Sequence, residues 1–410
     1  MEKNTLLKKL TDASQEHVLK YWDELNDEER KALSAQIETT DFQIIKHSFD
    51  SYKNAKPSEK KITPIKAIQL NEINENKDEF KEAGVKAIKN NEVGAVLLAG
   101  GMGTRLGNNG PKGVCDIGIT KPVFIFERIF TNLLDVVKET GTSIHLFIMT
   151  SDKNNDETVS FITEHNFFGY EKDYVHFFKQ EMAIATDRDC KVFMDSKSHM
   201  ADSPNGNGGW FLSLEKSGLL DLIKKVGIKW LNVFAVDNVL QRIADPIFVG
   251  ATIKRNAKCG AKVVKKSAPD EKVGVMCLKD NAPSVVEYYE LTDELMNTKD
   301  ENGDPAYNFG VILNYLFDVE SLIKISSAAL PWHVVEKKIP YIDENGELIS
   351  PTEPNGYKYE TLILDMIEMF DSCLPFEVVR NKEFAPIKNK SGVDSIESAR
   401  ELLKENGIEL

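Results

Sequence analysis

The residue types best placed for chemistry stand in Val96-Leu97-Leu98-Ala99-Gly100-Gly101-Met102-Gly103-Thr104-Arg105-Leu106-Gly107, with Pro111-Lys112-Gly113 just beyond. An apolar run empties into a loop holding four glycines and an arginine, and a lysine follows. Without a Cβ, glycine lets backbone N–H groups come close to a phosphate chain, and the arginine and lysine neutralise its charge. Two familiar phosphate loops are excluded. The dinucleotide pattern G-x-G-x-x-G needs glycine where Leu106 stands, and the Walker pattern needs Gly-Lys-Ser/Thr, whereas Lys112 lies between Pro111 and Gly113. A plain strand-to-helix turn would not need the basic residues. The loop reads as a nucleotide-phosphate loop of a third kind.

Three further places carry useful chemistry. Asp237 ends the apolar run Val233-Phe234-Ala235-Val236, and a carboxylate at a strand end facing a triphosphate suits Mg²⁺, which prefers one or two carboxylates plus phosphate oxygens. Its simpler role is an N-cap for the next helix. Gln180 closes Phe177-Phe178-Lys179-Gln180, and its amide offers a donor and an acceptor to a base edge. Pro204-Asn205-Gly206-Asn207-Gly208-Gly209 is a second glycine-dense loop at the start of a predicted helix, suited to close approach of a ligand but also ordinary as a loop.

The first loop resembles the signature L-x-G-G-x-G-T-R-L-G, with P-K a few residues on, of the uridylyltransferases that make UDP-sugars. Other segments extend the likeness: Val236-Asp237-Asn238 resembles V-D-N, Val273-Gly274-Val275 resembles V-G-V, and Val285-Val286-Glu287-Tyr288 resembles V-V-E-Y. Pro386-Ile387-Lys388-Asn389 is similar to P-L-K-N. Together with scaffold strings such as Cys259-Gly260-Ala261-Lys262-Val263-Val264, the matches cover roughly residues 90 to 390 and are similar to the eukaryotic-type UDP-N-acetylglucosamine pyrophosphorylases.

The resemblance implies that the phosphate oxygen of N-acetylglucosamine-1-phosphate attacks the α-phosphorus of UTP in line and expels pyrophosphate. Mg²⁺ on Asp237, with Asp365 as the candidate second carboxylate, and Arg105, Lys112 and Lys388 would surround the phosphates. Leu98, Ala99, Gly100, Gly101, Gln180 and Gly206 would hold the nucleotide. Asn207, Gly274, Glu287 and Asn308 would hold the sugar. Three departures from the family pattern are Asn205 for an aspartate, Phe309 for alanine and Val311 for asparagine. The alternatives are a uridylyltransferase for glucose-1-phosphate or several sugars, and an inactive UDP-sugar-binding regulator.

These residues must be carried by a scaffold. Candidate strands at 94–99, 144–150, 174–178, 229–236 and 259–265 alternate with helices near 122–138, 156–166, 209–225 and 245–255, with Pro122 at the first position of the first. Such alternation implies a doubly wound, Rossmann-like, mostly parallel α/β sheet, with ligands beyond the carboxyl ends of its strands. Val273–Leu278 and Ser284–Glu290 suggest an antiparallel hairpin that could build the sugar site. Residues 1–60 read as a helical N-terminal segment (Asn26 and Glu29 offering an N-cap), 61–380 as the catalytic domain, and 381–410 as a short tail, helical from Ser395 to Glu405. The stretch 54–66, with Pro57 and Pro64, reads as a connection.

The 410 residues carry 51 Lys and Arg against 65 Asp and Glu, a formal net charge of −14, which argues against a nucleic-acid binder. Five scattered cysteines lack zinc or disulfide spacing, no apolar run approaches the length of a membrane span, and the N-terminus lacks a signal pattern. A cytoplasmic protein follows as the expectation. The resembling family continues into a sizeable C-terminal β domain, whereas here about two dozen residues follow Lys388, so a monomer is expected.

Overall fold

Val93–Leu98 is apolar apart from Gly94, and all six residues are buried in a strand flanked on both edges, as an interior strand of a parallel sheet requires. Around it a computed structural model describes residues 3–54, 60–326 and 330–410; Pro57 lies outside the described residues. The chain divides into two units, the larger comprising Lys60–Gln180, Trp210–Ala329 and Leu364–Leu410.

The larger unit is built on a ten-stranded sheet: β1 Ile62–Pro64, β2 Val93–Leu98, β3 Leu146–Thr150, β4 Val175–Lys179, β5 Trp230–Ala235, β6 Cys259–Lys265, β7 Val275–Lys279, β8 Ala282–Val286, β9 Phe309–Asp318 and β10 Cys373–Glu377. Its main path runs β1-β7-β9-β5-β2-β3-β4, with β6 between β9 and β10 and β8 beside β7. Strands β5, β2, β3 and β4 are parallel neighbours, as are β6 and β10. Each of the five strands expected at 94–99, 144–150, 174–178, 229–236 and 259–265 lies within about two residues of its observed position, and the mostly parallel α/β class stands.

The long strand β9 was not foreseen. It runs antiparallel between β5 and β6, so these two are not neighbours. Its buried Asn314 interrupts the apolar pattern, and Leu313 has a left-handed φ of 51°. The amide is satisfied across the ladder: Asn232 donates to its Oδ1 at 2.8 Å, and its Nδ2 donates to Gln241 at 3.2 Å. Buried amides that are all paired are tolerated in a core.

Several boundaries shift for local reasons. The helix expected from Pro122 begins at Ile125, because Val123 pairs first: its N–H donates to Asp116 Oδ1 and its carbonyl accepts from Ile117. The helix expected over 209–225 is two helices, Trp210–Lys216 and Leu219–Val226, parted by Gly218 at φ 80°. The hairpin β7–β8 turns through Asp280 and Asn281, both left-handed, and ends at Val286, so Glu287 lies beyond the strand. Pro64 belongs to β1 at a sheet edge, where its missing N–H costs no ladder bond. The C-terminal helix Ile396–Glu405, capped by Ser395, buries Ala399 and Leu403 in the main core, and Arg400 donates to the carbonyls of Ile117 and Gly118.

The smaller unit comprises Met1–Glu59, Glu181–Gly209 and Leu330–Ile363. Helices Lys3–Asp12, Asp27–Thr39 and Phe42–Lys53 bury Leu6, Leu10, Leu33, Ile37, Phe42 and Ile45 against Met194, Met200, Tyr357 and Tyr359. The Asn26–Glu29 capping box starts the second helix. A three-stranded sheet of His333–Lys337, Gly356–Glu360 and Thr186–Asp187 completes this core.

Candidate active site

The loop after β2 folds back on itself. Gly103 N–H donates to Gly110 O, Lys112 N–H donates to Gly101 O, and Met102 bridges to Pro111. Gly107 takes φ 84°, and a side chain at Gly113 would run into the Phe126 ring, so these two glycines serve the turn. Gly101 is different. It is exposed, and a methyl there would meet nothing within 4 Å, so the space beside its Cα is open. Leu98 and Ala99 are buried at the strand's exit.

Two residues from neighbouring strands hold this loop. Gln180, directly after β4, sits over Gly100: a Cβ there would stand 2.8 Å from its Oε1. Only glycine leaves room for that amide without a shift. Asn154, almost fully buried, donates to Ala99 O at 2.9 Å and Gly101 O at 3.4 Å, and accepts from Ser151 N–H. Sequence reading missed Asn154; the one signal was a polar cluster, Ser151-Asp152-Lys153-Asn154, at a strand's carboxyl end.

The charged residues converge. Lys112 is half-buried, and its pKa is lowered first by burial, then raised by Asp237, and lowered by Arg105 and Lys388. Residues spread over nearly 300 positions thus share one electrostatic field beyond the carboxyl ends of β2 and β5. The structure shows how two of them meet. Asp237 sits in the turn after β5, and its carbonyl accepts the N–H of Ile387 at 2.9 Å. Asn238 bridges to Pro386, which brings Lys388 beside the turn. The Lys388 ammonium donates to Asp394 at 3.1 Å, and Lys388 N–H donates to Asp394 O.

Glu287, first beyond β8, borders the same cluster. Burial raises its pKa, Glu290 adds to that, and Lys388 and Lys279 oppose it. Gly274 lies beside it, since a Cβ there would meet Val285 first and Glu287 Cδ at 3.6 Å. Asn308 immediately precedes β9, and its Oδ1 accepts Lys266 N–H at 3.1 Å. Asp365 stands in the first turn of helix Ile363–Glu368 and contributes to the raised pKa of the Tyr289 hydroxyl, whose first cause is burial.

Gly206 and Asn207 belong to the smaller unit. Gly206 has φ 85°, and a side chain there would collide with Thr361. Asn207 Oδ1 accepts the N–H of Ile363 at 3.0 Å, and Gly208 and Gly209 pack on Leu362 and Asn205. Asn205 turns its amide nitrogen to the carbonyls of Glu181 and Gly206, at 3.0 and 3.3 Å. An aspartate would set two negative oxygens there, which gives the family departure at this position a local reason.

A cluster of cations and one carboxylate at a glycine loop, on a mostly parallel sheet, defines a nucleotidyltransferase-type α/β protein. The chain belongs to the UTP–glucose-1-phosphate uridylyltransferase family, whose pattern matches residues 40–409. It is 36% identical to a probable UDP-N-acetylglucosamine pyrophosphorylase of Dictyostelium discoideum, over 95% of this chain and 85% of that one. It is 34% identical to the UDP-N-acetylhexosamine pyrophosphorylase-like protein 1 of Homo sapiens, over 96% and 82% of the two chains. The crystal structure of the uridine diphosphate N-acetylglucosamine pyrophosphorylase of Trypanosoma brucei superposes with a TM-score of 0.80 at 27% identity, covering 98% of this chain and 84% of that one.

Proposed function

We propose that this chain is a uridylyltransferase that converts UTP and N-acetylglucosamine-1-phosphate into UDP-N-acetylglucosamine and pyrophosphate. Family membership over nearly the whole chain supports the enzyme class, and relatives named for UDP-N-acetylglucosamine support the sugar. The observation that carries the reading is the shared field of Arg105, Lys112, Asp237 and Lys388 beside the open space at Gly101.

The sugar phosphate is already an anion, so the reaction needs no nucleophilic side chain. It needs alignment and charge neutralisation. In the proposed reaction Arg105 and Lys112 take the triphosphate, Lys388 takes the sugar phosphate, and the two are held in line. For Lys388 this means exchanging Asp394 for a phosphate oxygen, a like-for-like replacement of one anion by another. Gln180 reads the uracil edge while the loop backbone from Leu98 to Gly101 approaches the nucleotide. Glu287, beside Gly274, accepts from sugar hydroxyls, with Asn308 at its edge. The roles that resemblance implies for Gly206 and Asn207 are tested separately, by the KM of variants for each substrate.

Magnesium belongs to the proposal. Among the described residues there is no group of three or more His, Cys, Asp or Glu that could cage an ion. The donor set instead suits an ion shared with substrate: Asp237 is half-buried in a turn, beside cations that hold phosphate. Asp237 would hold the ion, with Asp365 the candidate second carboxylate. Bound there, the metal supplies positive charge to the phosphate oxygens as negative charge shifts during displacement.

A cytoplasmic monomer remains part of the reading; among the described residues no helix is long and apolar enough to cross a membrane. Light scattering at micromolar concentration tests the assembly, and a mass near twice 46.1 kDa would contradict it. Pyrophosphate release from UTP tests the chemistry, run in parallel with N-acetylglucosamine-1-phosphate, N-acetylgalactosamine-1-phosphate and glucose-1-phosphate. Preference for the first is expected. Equal use of glucose-1-phosphate would move the assignment to a broad or glucose-specific enzyme, and no release with any sugar would refute it.

A further inference from the structure

Asp237 and Lys388 are about 150 residues apart in sequence, yet chemistry at two phosphates requires their separation to be fixed. Asn238, 2% exposed, lies between the segments that carry them. Its Nδ2 donates to the carbonyl of Glu383 at 2.7 Å, and its Oδ1 accepts the N–H of Ala385 at 2.9 Å and that of Leu240 at 3.4 Å. Both ends of the amide are therefore used on the end of helix Arg380–Glu383 with the segment that follows it, and on its own turn. The backbone completes the seam, with Val239 N–H donating to Ala385 O and Ile387 N–H to Asp237 O.

The far side of this clasp is itself anchored. Glu383 accepts from the ammonium of Lys262 at 2.5 Å, and that lysine is fully buried and also donates to Asp245 at 3.2 Å and to Arg242 O at 3.0 Å. A buried ion pair of this kind moves only at large cost, because a shift would leave a charge unpaired. The carbonyl that Asn238 grips is thus a rigid reference point. No other side-chain type of this size has a donor and an acceptor in that arrangement. Aspartate would oppose its carboxylate to the Glu383 carbonyl, and alanine would leave Ala385 N–H and Glu383 O without their partner.

We infer that Asn238 is a positioning residue that sets the Asp237 carboxylate against the Lys388 ammonium, and so aligns the sugar phosphate with the nucleotide. The inference rests on the uridylyltransferase reading. A side chain that merely stabilises a turn would lower folding stability and leave the catalytic constants of the folded fraction alone. A positioning residue changes them, since a displacement of about 1 Å at a reacting centre can cost on the order of a hundredfold in rate.

The test is a double-mutant cycle on kcat/KM for N-acetylglucosamine-1-phosphate, using Asn238→Ala, Lys388→Ala and the pair, with folded protein quantified by thermal melting. Asn238→Asp serves as a second variant that keeps one acceptor and the side-chain shape. We expect Asn238→Ala and Asn238→Asp each to lower kcat/KM by about tenfold or more, with KM for UTP changed by less than about twofold. In the Lys388→Ala background the same change should cost less than about threefold, because partners in one unit are not additive. Additive losses, or full activity per folded molecule, would overturn the inference while the wild type still releases pyrophosphate. A wild type without release would instead refute the underlying reading and the inference with it.

Discussion

Two loops of this protein are rich in glycine, and they differ at one position. In the loop after β2, Gly101 is exposed and nothing stands within 4 Å of a methyl placed on it. In Asn205–Gly209, every glycine is consumed by packing: Gly206 on Thr361, Gly208 on Leu362 and Gly209 on the Asn205 side chain. The second loop is also stitched by hydrogen bonds, with Gly208 N–H donating to Thr361 O and Thr361 N–H donating to Asn205 O. Glycine density alone therefore does not mark a ligand loop. Open space at a glycine beside unlike charges is what the proposed phosphate site rests on, and of these two loops the first has both.

The sharpest way to break this contrast is to remove the charge that faces the open loop. Asp237→Ala should lower turnover by on the order of a thousandfold or more, through lost charge stabilisation at the phosphates. Its backbone carbonyl still accepts Ile387 N–H, so the melting temperature should hold. Near-normal turnover with saturating Mg²⁺ would take Asp237 out of the reaction.

A smaller effect is expected at Lys388. Losing one charge-assisted contact typically costs about 1.5–3 kcal/mol, so Lys388→Ala should raise KM for the sugar phosphate by roughly 10–100-fold. The KM for UTP should move little. A rise confined to UTP would exchange the roles given to Lys388 and Lys112.

Glu287 supplies the gentlest prediction. Burial holds its pKa above the ordinary carboxylate value, so it takes up a proton at a higher pH than an exposed glutamate would. The carboxylate is the form that accepts from sugar hydroxyls. Accordingly kcat/KM for the sugar phosphate should fall as pH drops through that raised pKa, by a few-fold. Glu287→Gln should lower the plateau and flatten this acid limb. An unchanged limb in the variant would assign the titration elsewhere.

Much of this arrangement was legible in the sequence. The strands β2, β3 and β5 are short, largely apolar runs followed two residues later by Gly100, Asp152 and Asp237, so their hydrophobicity and their stop signals agree, and each of β2 to β6 lies close to its expected place. The charged residues at their ends were legible as types. What local pattern could not carry was pairing over long sequence distance. Nothing in Phe309–Asp318 distinguishes an antiparallel central strand from an edge strand, because Asn314 is explained only by Asn232 and Gln241 across the ladder. Asn154 looked like an ordinary loop residue and Asn238 stood only as the last letter of V-D-N, and their hydrogen bonds reach carbonyls 53 to 145 positions away. The second glycine loop follows the same rule, since Gly206 and Gly208 are explained in this fold by Thr361 and Leu362, far along the chain.

The most direct test of the central claim compares Gly101→Ala with Gly206→Ala by thermal melting and by kcat/KM for UTP. A methyl at Gly101 fits the unliganded fold but occupies the space through which a phosphate would approach. The account predicts a melting temperature within about 1 °C of wild type and a loss of about tenfold or more in kcat/KM. For Gly206→Ala, left-handed strain and collision with Thr361 should cost about 2 kcal/mol or more, lowering the melting temperature by roughly 2 °C or more. Gly101→Ala with wild-type activity, or with activity lost only in step with stability, would contradict the assignment of that loop as the phosphate cradle.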